Sequence, residues 1–368
     1  MPDTAAGYRY AELHLHLGGA ILPRVLWSYL QRERSEDPAG EFARDSQAVI
    51  DEFGEYALFE RFLTRDCSSL AEYLEAHKRV EPLQKVDSLP YYVYRLLRGA
   101  AVFENIAYME LRYNPYFRIP RDTPPGAVRA KMEEVVSTVG AAARNAQRRF
   151  PIALTQILCL DSRLPNDLNR EIVELAADMP NEVCAIDLAG PNEPYAGRVN
   201  DFVAAFENAK GRGLKTTAHL YETPQGAIPE LLPLVDRIGH GIQIPLMHRS
   251  LLVAIAGRGQ CLEVCPTTYL RTGTLSGYAE LHPVFERCFD LGVDVAICTD
   301  NMAFHDVRLP REHELLLLNR ALSFADMERC RQAAFRHAFR WPHPEAKEDL
   351  FTSAQDGSLR RLQEEEFA

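Results

Sequence analysis

The chain has 368 residues, 46% of them hydrophobic and 25% charged, an ordinary balance for a globular protein with a large core. Its formal net charge of −11 tells against a binder of nucleic-acid polymers, which needs a basic footprint, but not against a single small nucleotide in a local pocket. The opening MPDTAAGYRYAELHLHL has no cationic stretch followed by an apolar run, and no segment is apolar enough to span a bilayer, so a cytoplasmic protein with no membrane partner is expected.

Candidate strands recur along the chain, each a short apolar run ending in polar residues. In order they are Ala11–Leu17, Ile106–Tyr113, Ile152–Leu160, Val183–Gly190, Lys215–Glu222, Arg237–Gly241, Leu262–Thr268 and Asp294–Asn301. Helix-like segments with glycine stops, such as VNDFVAAFENAKGRG, separate them. Eight strands alternating with helices predict an α/β fold, a (β/α)8 TIM barrel, with residues 1–368 as one domain. The stretch 18–105 is too long for one connection and holds several amphipathic pieces; it is predicted to be a helical insertion over the barrel mouth. A further helix is expected over FADMERCRQAAFRHAFRW, followed by a frayed acidic tail, LQEEEFA. The eight scattered cysteines form no C-x-x-C pair and read as reduced core thiols.

The first strand ends in His14-Leu15-His16, and residues i and i+2 of a strand share a face. Alone, such a pair is common without a metal. Later strand ends add His219 and Glu222, His240, and Asp300, and in this architecture polar groups at C-terminal strand ends are where chemistry sits. His14, His16, His219 and Asp300 together offer three nitrogens and one carboxylate oxygen, a set that suits one Zn2+ ion with a position left for water. Iron or manganese would also fit.

At these residues the chain resembles the adenosine deaminase family of the metal-dependent amidohydrolases. The resemblance rests on HLHLGGA (His14–Ala20), HLYE (His219–Glu222), RIGHG (Arg237–Gly241), EVCPTT (Glu263–Thr268) and CTDN (Cys298–Asn301), with ELRY and DLAG as further pieces. It runs from Ala11 to about Asn301 and thins across the insertion. It implies that His14, His16, His219 and Asp300 bind zinc, and that Glu222 donates a proton to the ring nitrogen beside the attacked carbon. It also implies that His240 positions and helps deprotonate the attacking water, and that Gly190 offers its N–H to the base. The expected reaction is hydrolytic deamination of a purine-like small molecule. A lysine is absent from the fourth strand end, so one ion is expected, not two. The H-x-E tripeptide at His343 lacks the P-C-x-x-C partner of the other zinc deaminase class and is read as coincidence.

Four departures bear on the substrate. Gly18 stands where the family has an aspartate for the ribose 5′-hydroxyl, which removes a charge that would repel a 5′-phosphate. Tyr221 replaces a glycine beside Glu222 and is expected to narrow the pocket or stack on the ligand. Asn301 replaces a second aspartate and can still hydrogen-bond a purine edge. Thr268-Tyr269 replaces Ser-Asn. Adenosine, AMP, a modified adenine nucleoside or a secondary-metabolite intermediate all remain open, as do a different heterocycle and a non-catalytic relative. His305 could line the mouth; His77, His248, His282, His313, His337 and His343 are read as surface or packing residues.

Overall fold

The computed structural model describes residues 8–36, 41–67, 69–191 and 197–341. Among the described residues nine parallel strands make up the sheet. They are β1 (Tyr10–His16), β2 (Ile106–Tyr113), β3 (Ala153–Asp161), β4 (Val183–Ala189), β5 (Lys215–Thr216), β6 (His219–Leu220), β7 (Arg237–His240), β8 (Cys261–Val264) and β9 (Asp294–Ile297). They pair in the orders β1-β2-β3-β4-β5 and β6-β7-β8-β9. β5 and β6 are two pieces of the predicted fifth strand, each bonded to a different neighbour. Thr217 N donates to Ile186 O at 3.0 Å on one side, and Gly239 N to Ala218 O at 2.8 Å on the other. Past the end of β9 the backbone meets β1: Asp300 N donates to His14 O (2.8 Å) and His16 N to Asp300 O (2.7 Å). The ring therefore has eight positions and closes at Asp300, as the strand count predicted.

Two predicted strands end early for identifiable reasons. Leu262–Thr268 stops at Val264 because Pro266 has no N–H for the ladder; it opens the helix Pro266–Arg271 instead. Asp294–Asn301 stops at Ile297, after which Glu12 takes both the N–H and the hydroxyl of Thr299 (3.1 and 2.7 Å). The insertion is helical as expected, with helices at Pro23–Glu36, Glu41–Phe53, Tyr56–Leu63, Leu70–Val80 and Leu89–Phe103. The last of these is the return helix to β2, and Leu70–Val80 brings side chains to the cavity. The C-terminal helix runs Phe324–His337 behind a Ser323–Asp326 capping box, shorter than predicted. The acidic tail and His343 lie outside the described residues. All eight cysteines are buried and free. Among the described residues no helix is long and apolar enough to cross a membrane.

The barrel interior is charged as well as apolar. β2 is buried along its whole length, yet Tyr108, Glu110 and Arg112 share one of its faces. Arg112 reaches Asp187 (3.3 Å), Glu263 (2.8 Å) and the Leu13 carbonyl (2.7 Å). Arg237 binds Glu263 (2.6 Å), Glu110 and the His337 carbonyl (2.7 Å), with the Phe339 ring beneath its guanidinium. Each charge is matched, so removing one partner strands a buried carboxylate. Arg237→Met is expected to lower stability by about 3–5 kcal/mol, read as a lower urea midpoint with an unchanged slope. An unchanged midpoint would mean that the network does not support the barrel.

Candidate active site

His14 and His16 end β1, His219 begins β6, and Asp300 lies at the closing seam, so the barrel brings all four predicted ligands to one mouth. One ligand atom from each lies within 4.8 Å of the others. His219 Nε2 is 3.0 Å from His16 Nε2 and 3.2 Å from His14 Nε2, while Asp300 Oδ1 is 3.5 and 3.8 Å from those two nitrogens.

The tautomers decide what those distances mean. His219 Nδ1 is 3.1 Å from the Leu188 carbonyl oxygen, which can only accept, and 3.2 Å from Asp187. His14 Nδ1 is 2.7 Å from Glu263, whose carboxyl Arg112 and Arg237 hold well below the usual range against its burial. Both Nδ1 atoms therefore carry the proton, and both Nε2 atoms present lone pairs to each other. Burial keeps two of the imidazoles neutral: it pushes His14 down to about 3, with Arg112 and His219 adding to the effect, and lowers His16 well below its ordinary value, whereas at His219 burial is outweighed by Asp187, which raises it. Facing lone pairs at this distance repel unless a proton or a metal ion lies between them. Tetrahedral zinc with nitrogens at about 2.0–2.1 Å sets its ligands about 3.3 Å apart. The residues fit such an ion.

Glu222 and His240 flank the cluster. Glu222 is buried, and burial followed by the Asp300 charge pushes its carboxyl up to about 7. His240 Nε2 stands 3.7 Å from Glu222 Oε2, and its Nδ1 is 3.3 Å from the Tyr269 hydroxyl. That hydroxyl also accepts from Cys265 N at 3.1 Å, so Tyr269, known from sequence only as a departure, orients His240. Tyr221, His240 and Asp300 all have positive φ (54°, 62° and 59°), strained backbone for residues other than glycine, and all three lie at strand ends around the site.

The other predicted residues are placed unevenly. Gly190 (φ 100°) and Asn301 line the cavity, and a Cβ at Gly190 would stand 2.9 Å from Ser162 Oγ. Asn301 Nδ2 donates to Asp300 Oδ1 at 2.7 Å, leaving a buried Oδ1 without a hydrogen-bond partner. Tyr221 departs from expectation. Its left-handed backbone turns the ring onto His248, 5.5 Å away, and it is not among the residues lining the cavity. Gly18 does line it, but the space opened by the missing side chain is filled. A Cβ there would lie 2.6 Å from His77 Nδ1 and 3.8 Å from Glu81 Cγ.

The sequence reads His77 as a surface or packing residue, but it lies in the cavity wall on the helix Leu70–Val80, its ring 6.3 Å from that of His16. Nothing in the sequence sets it apart, because a single sequence does not reveal where the helices of the insertion dock. His305 is buried behind the wall, stacked on Tyr73 and 3.0 Å from Thr268 Oγ1, which in turn donates to Asp300 Oδ2 at 2.9 Å. Asp187 and Glu263 carry the outer hydrogen bonds of two ligands. Asp187→Asn, which weakens the hold on His219 Nδ1, is expected to reduce zinc affinity about 10–100-fold in competition with a chelator. Unchanged affinity would remove Asp187 from that role.

The sequence model of the family described as Adenosine deaminase matches residues 10–351, further toward the C-terminus than the motifs alone. An adenosine deaminase from Clostridium acetobutylicum is 28% identical over 308 residues, covering 82% of this chain and 84% of its own. Among solved structures, Arabidopsis ADAL complexed with IMP aligns at a TM-score of 0.73 and 24% identity, over 95% of this chain and 97% of that one. An adenine deaminase from Arthrobacter aurescens aligns at 0.72 and 19%, over 93% and 96%. A Burkholderia ambifaria amidohydrolase with bound Zn aligns at 0.70 and 23%, over 96% and 90%. The fold is theirs, and the match along the sequence decides the rest: the chain belongs to the adenosine deaminase family and is a hydrolytic deaminase acting on a C–N bond.

Proposed function

We propose that this enzyme, holding one zinc ion on His14, His16, His219 and Asp300, removes the exocyclic amino group of an adenine-type purine as ammonia. The observation that carries the reading is the pairing of a lone-pair cluster with a buried, raised carboxyl. Glu222 and His240 stand side by side on the same mouth as the facing imidazoles. When bound, the ion supplies Lewis acidity that makes water a competent nucleophile near neutral pH.

The chain's own groups account for the remaining steps. An amidine carbon becomes electrophilic when the adjacent ring nitrogen is protonated, and Glu222 is the acid placed to do so; its raised pKa keeps the proton available near pH 7. His240, held neutral mainly by burial and then by its histidine neighbours, can accept a proton from the attacking water. Tyr269 fixes the direction of that ring. The Gly190 N–H and the Asn301 amide are the candidates for holding the two edges of the purine, with Asn301 Nδ2 keeping one N–H beyond its bond to Asp300. Water adds at the carbon, the ring nitrogen gains a proton, and the amino group leaves once protonated, giving an oxo-purine. The ligand and substrate names attached to the solved neighbours, IMP and adenine, share the purine ring and differ in the sugar and phosphate. That common ring supports a purine substrate here.

Two measurements test this. Glu222→Gln is expected to keep its zinc content and lose at least about a hundredfold in turnover, as loss of general-acid catalysis implies. Equal turnover would remove Glu222 from the mechanism. Prolonged chelation is expected to abolish ammonia release from adenine, adenosine and AMP alike, and added zinc to restore it. Full activity in demonstrably metal-free protein would overturn the zinc assignment.

A further inference from the structure

Gly18 leaves no side chain at the cavity wall, yet a carboxylate stands there from another part of the chain. Glu81 opens the short 3-10 turn Glu81–Leu83 that follows the helix Leu70–Val80, and it lines the same cavity as Glu222 and Gly190. Its Cγ lies 3.8 Å from where a Gly18 Cβ would be. Gly18 is two residues past His16, so at about 3.8 Å per residue its Cα is within ~7.6 Å of that ligand's Cα. Glu81 and Glu222 line one cavity, so a molecule of nucleoside length with its base at Glu222 can bring its sugar to this wall.

Glu81 is also without a hydrogen-bond donor among the described residues. The nearest cation is Arg118, with Nη2 3.9 Å from Oε1, beyond hydrogen-bond range. Arg118 forms an ion pair with Glu81 at that distance while Nη1 and Nη2 donate to the Asn114 carbonyl (2.8 Å) and Gln84 Oε1 (3.0 Å), and its Nε is left without a partner. The other lining cations are matched elsewhere. Arg163 grips Asp161 through two nitrogens (2.8 and 2.7 Å), and Lys78, more than half exposed at the rim, pairs with Glu75. The Glu81 side chain is 21% exposed toward the cavity, so a ligand hydroxyl entering there can supply the donor that no described residue gives it.

We infer that Glu81 is a specificity-determining residue: it accepts a hydrogen bond from a sugar hydroxyl of a neutral adenine nucleoside and selects that substrate over the 5′-phosphorylated nucleotide. The inference rests on the purine deaminase reading above and names its substrate class. It reverses the expectation drawn from Gly18 alone, that the missing carboxylate makes room for a phosphate. The charge is supplied from the insertion, and His77 occupies the space. A hydroxyl donated to a charged carboxylate contributes about 10- to 100-fold in selectivity, while a dianion beside the same group is repelled.

The test compares kcat/KM of the zinc-loaded full chain and its Glu81→Gln and Glu81→Asp variants. The substrates are adenosine, its 2′-, 3′- and 5′-deoxy analogues, and AMP; zinc content and thermal midpoint are checked for each protein. The wild type is expected to favour adenosine by about 10- to 100-fold over one deoxy analogue and by at least that over AMP. In Glu81→Gln the ratio of adenosine to that analogue should fall toward one and the ratio of AMP to adenosine should rise, with Glu81→Asp in between. The proposal is overturned if AMP is preferred by the wild type. It is equally overturned if the variants slow every substrate alike or leave the ratios where they were. In those cases wild-type deamination persists, so the purine reading survives. Ammonia release from none of the five compounds overturns both.

Discussion

Three imidazoles with their Nε2 atoms turned toward one point are the constraint around which this barrel is organised. His219 Nε2 lies 3.0 and 3.2 Å from its two partners, an arrangement that is repulsive without a proton or a metal ion between them. What enforces it is an outer set of acceptors. Leu188 O and Asp187 hold one Nδ1 and Glu263 holds another, and Arg112 bridges the two carboxylates from β2. Arg237 and Glu110 carry the network further into the barrel. The interior of the fold is in this sense an extension of the site, and much of its charge exists to fix ring orientations a few ångströms away.

Asp300 joins the fold and the chemistry in one residue. Its backbone makes both hydrogen bonds that close the ring against β1, and its carboxylate, held by Thr268 and Asn301, completes the proposed ligand set. The positive φ at Asp300 follows from that double duty, and the same conformation recurs at His240 and Tyr221. Non-glycine residues in this region cost on the order of 1–2 kcal/mol each. The surrounding ladder and the buried ion pairs are what hold them there.

The strand pattern was legible because each stave is a short apolar run closed by polar residues, and because those polar residues repeat a chemistry at consecutive strand ends. That His14, His16, His219, Asp300, Glu222 and His240 gather at one mouth could be read this way. Two kinds of feature could not. One is the end of a strand where a single side chain overrides the pattern, as Glu12 does by capturing Thr299. The other is anything contributed by the insertion, whose helices announce an apolar face but not where it docks; His77 and Glu81 reach the cavity from there. Tyr221 shows a third limit. Its identity suggested a wall of the pocket, but the direction of a side chain depends on φ, and at 54° the ring faces His248 instead. Gly18 carries the same lesson in reverse, since an absent side chain became a cavity only on the assumption that nothing else filled it.

Anomalous diffraction at the zinc edge, from crystals of the protein loaded with zinc, tests the central claim most directly. The account requires a single strong peak about 2.0–2.2 Å from Nε2 of His14, His16 and His219 and from Oδ1 of Asp300. No peak among these four atoms, or an ion held by other residues, would contradict it.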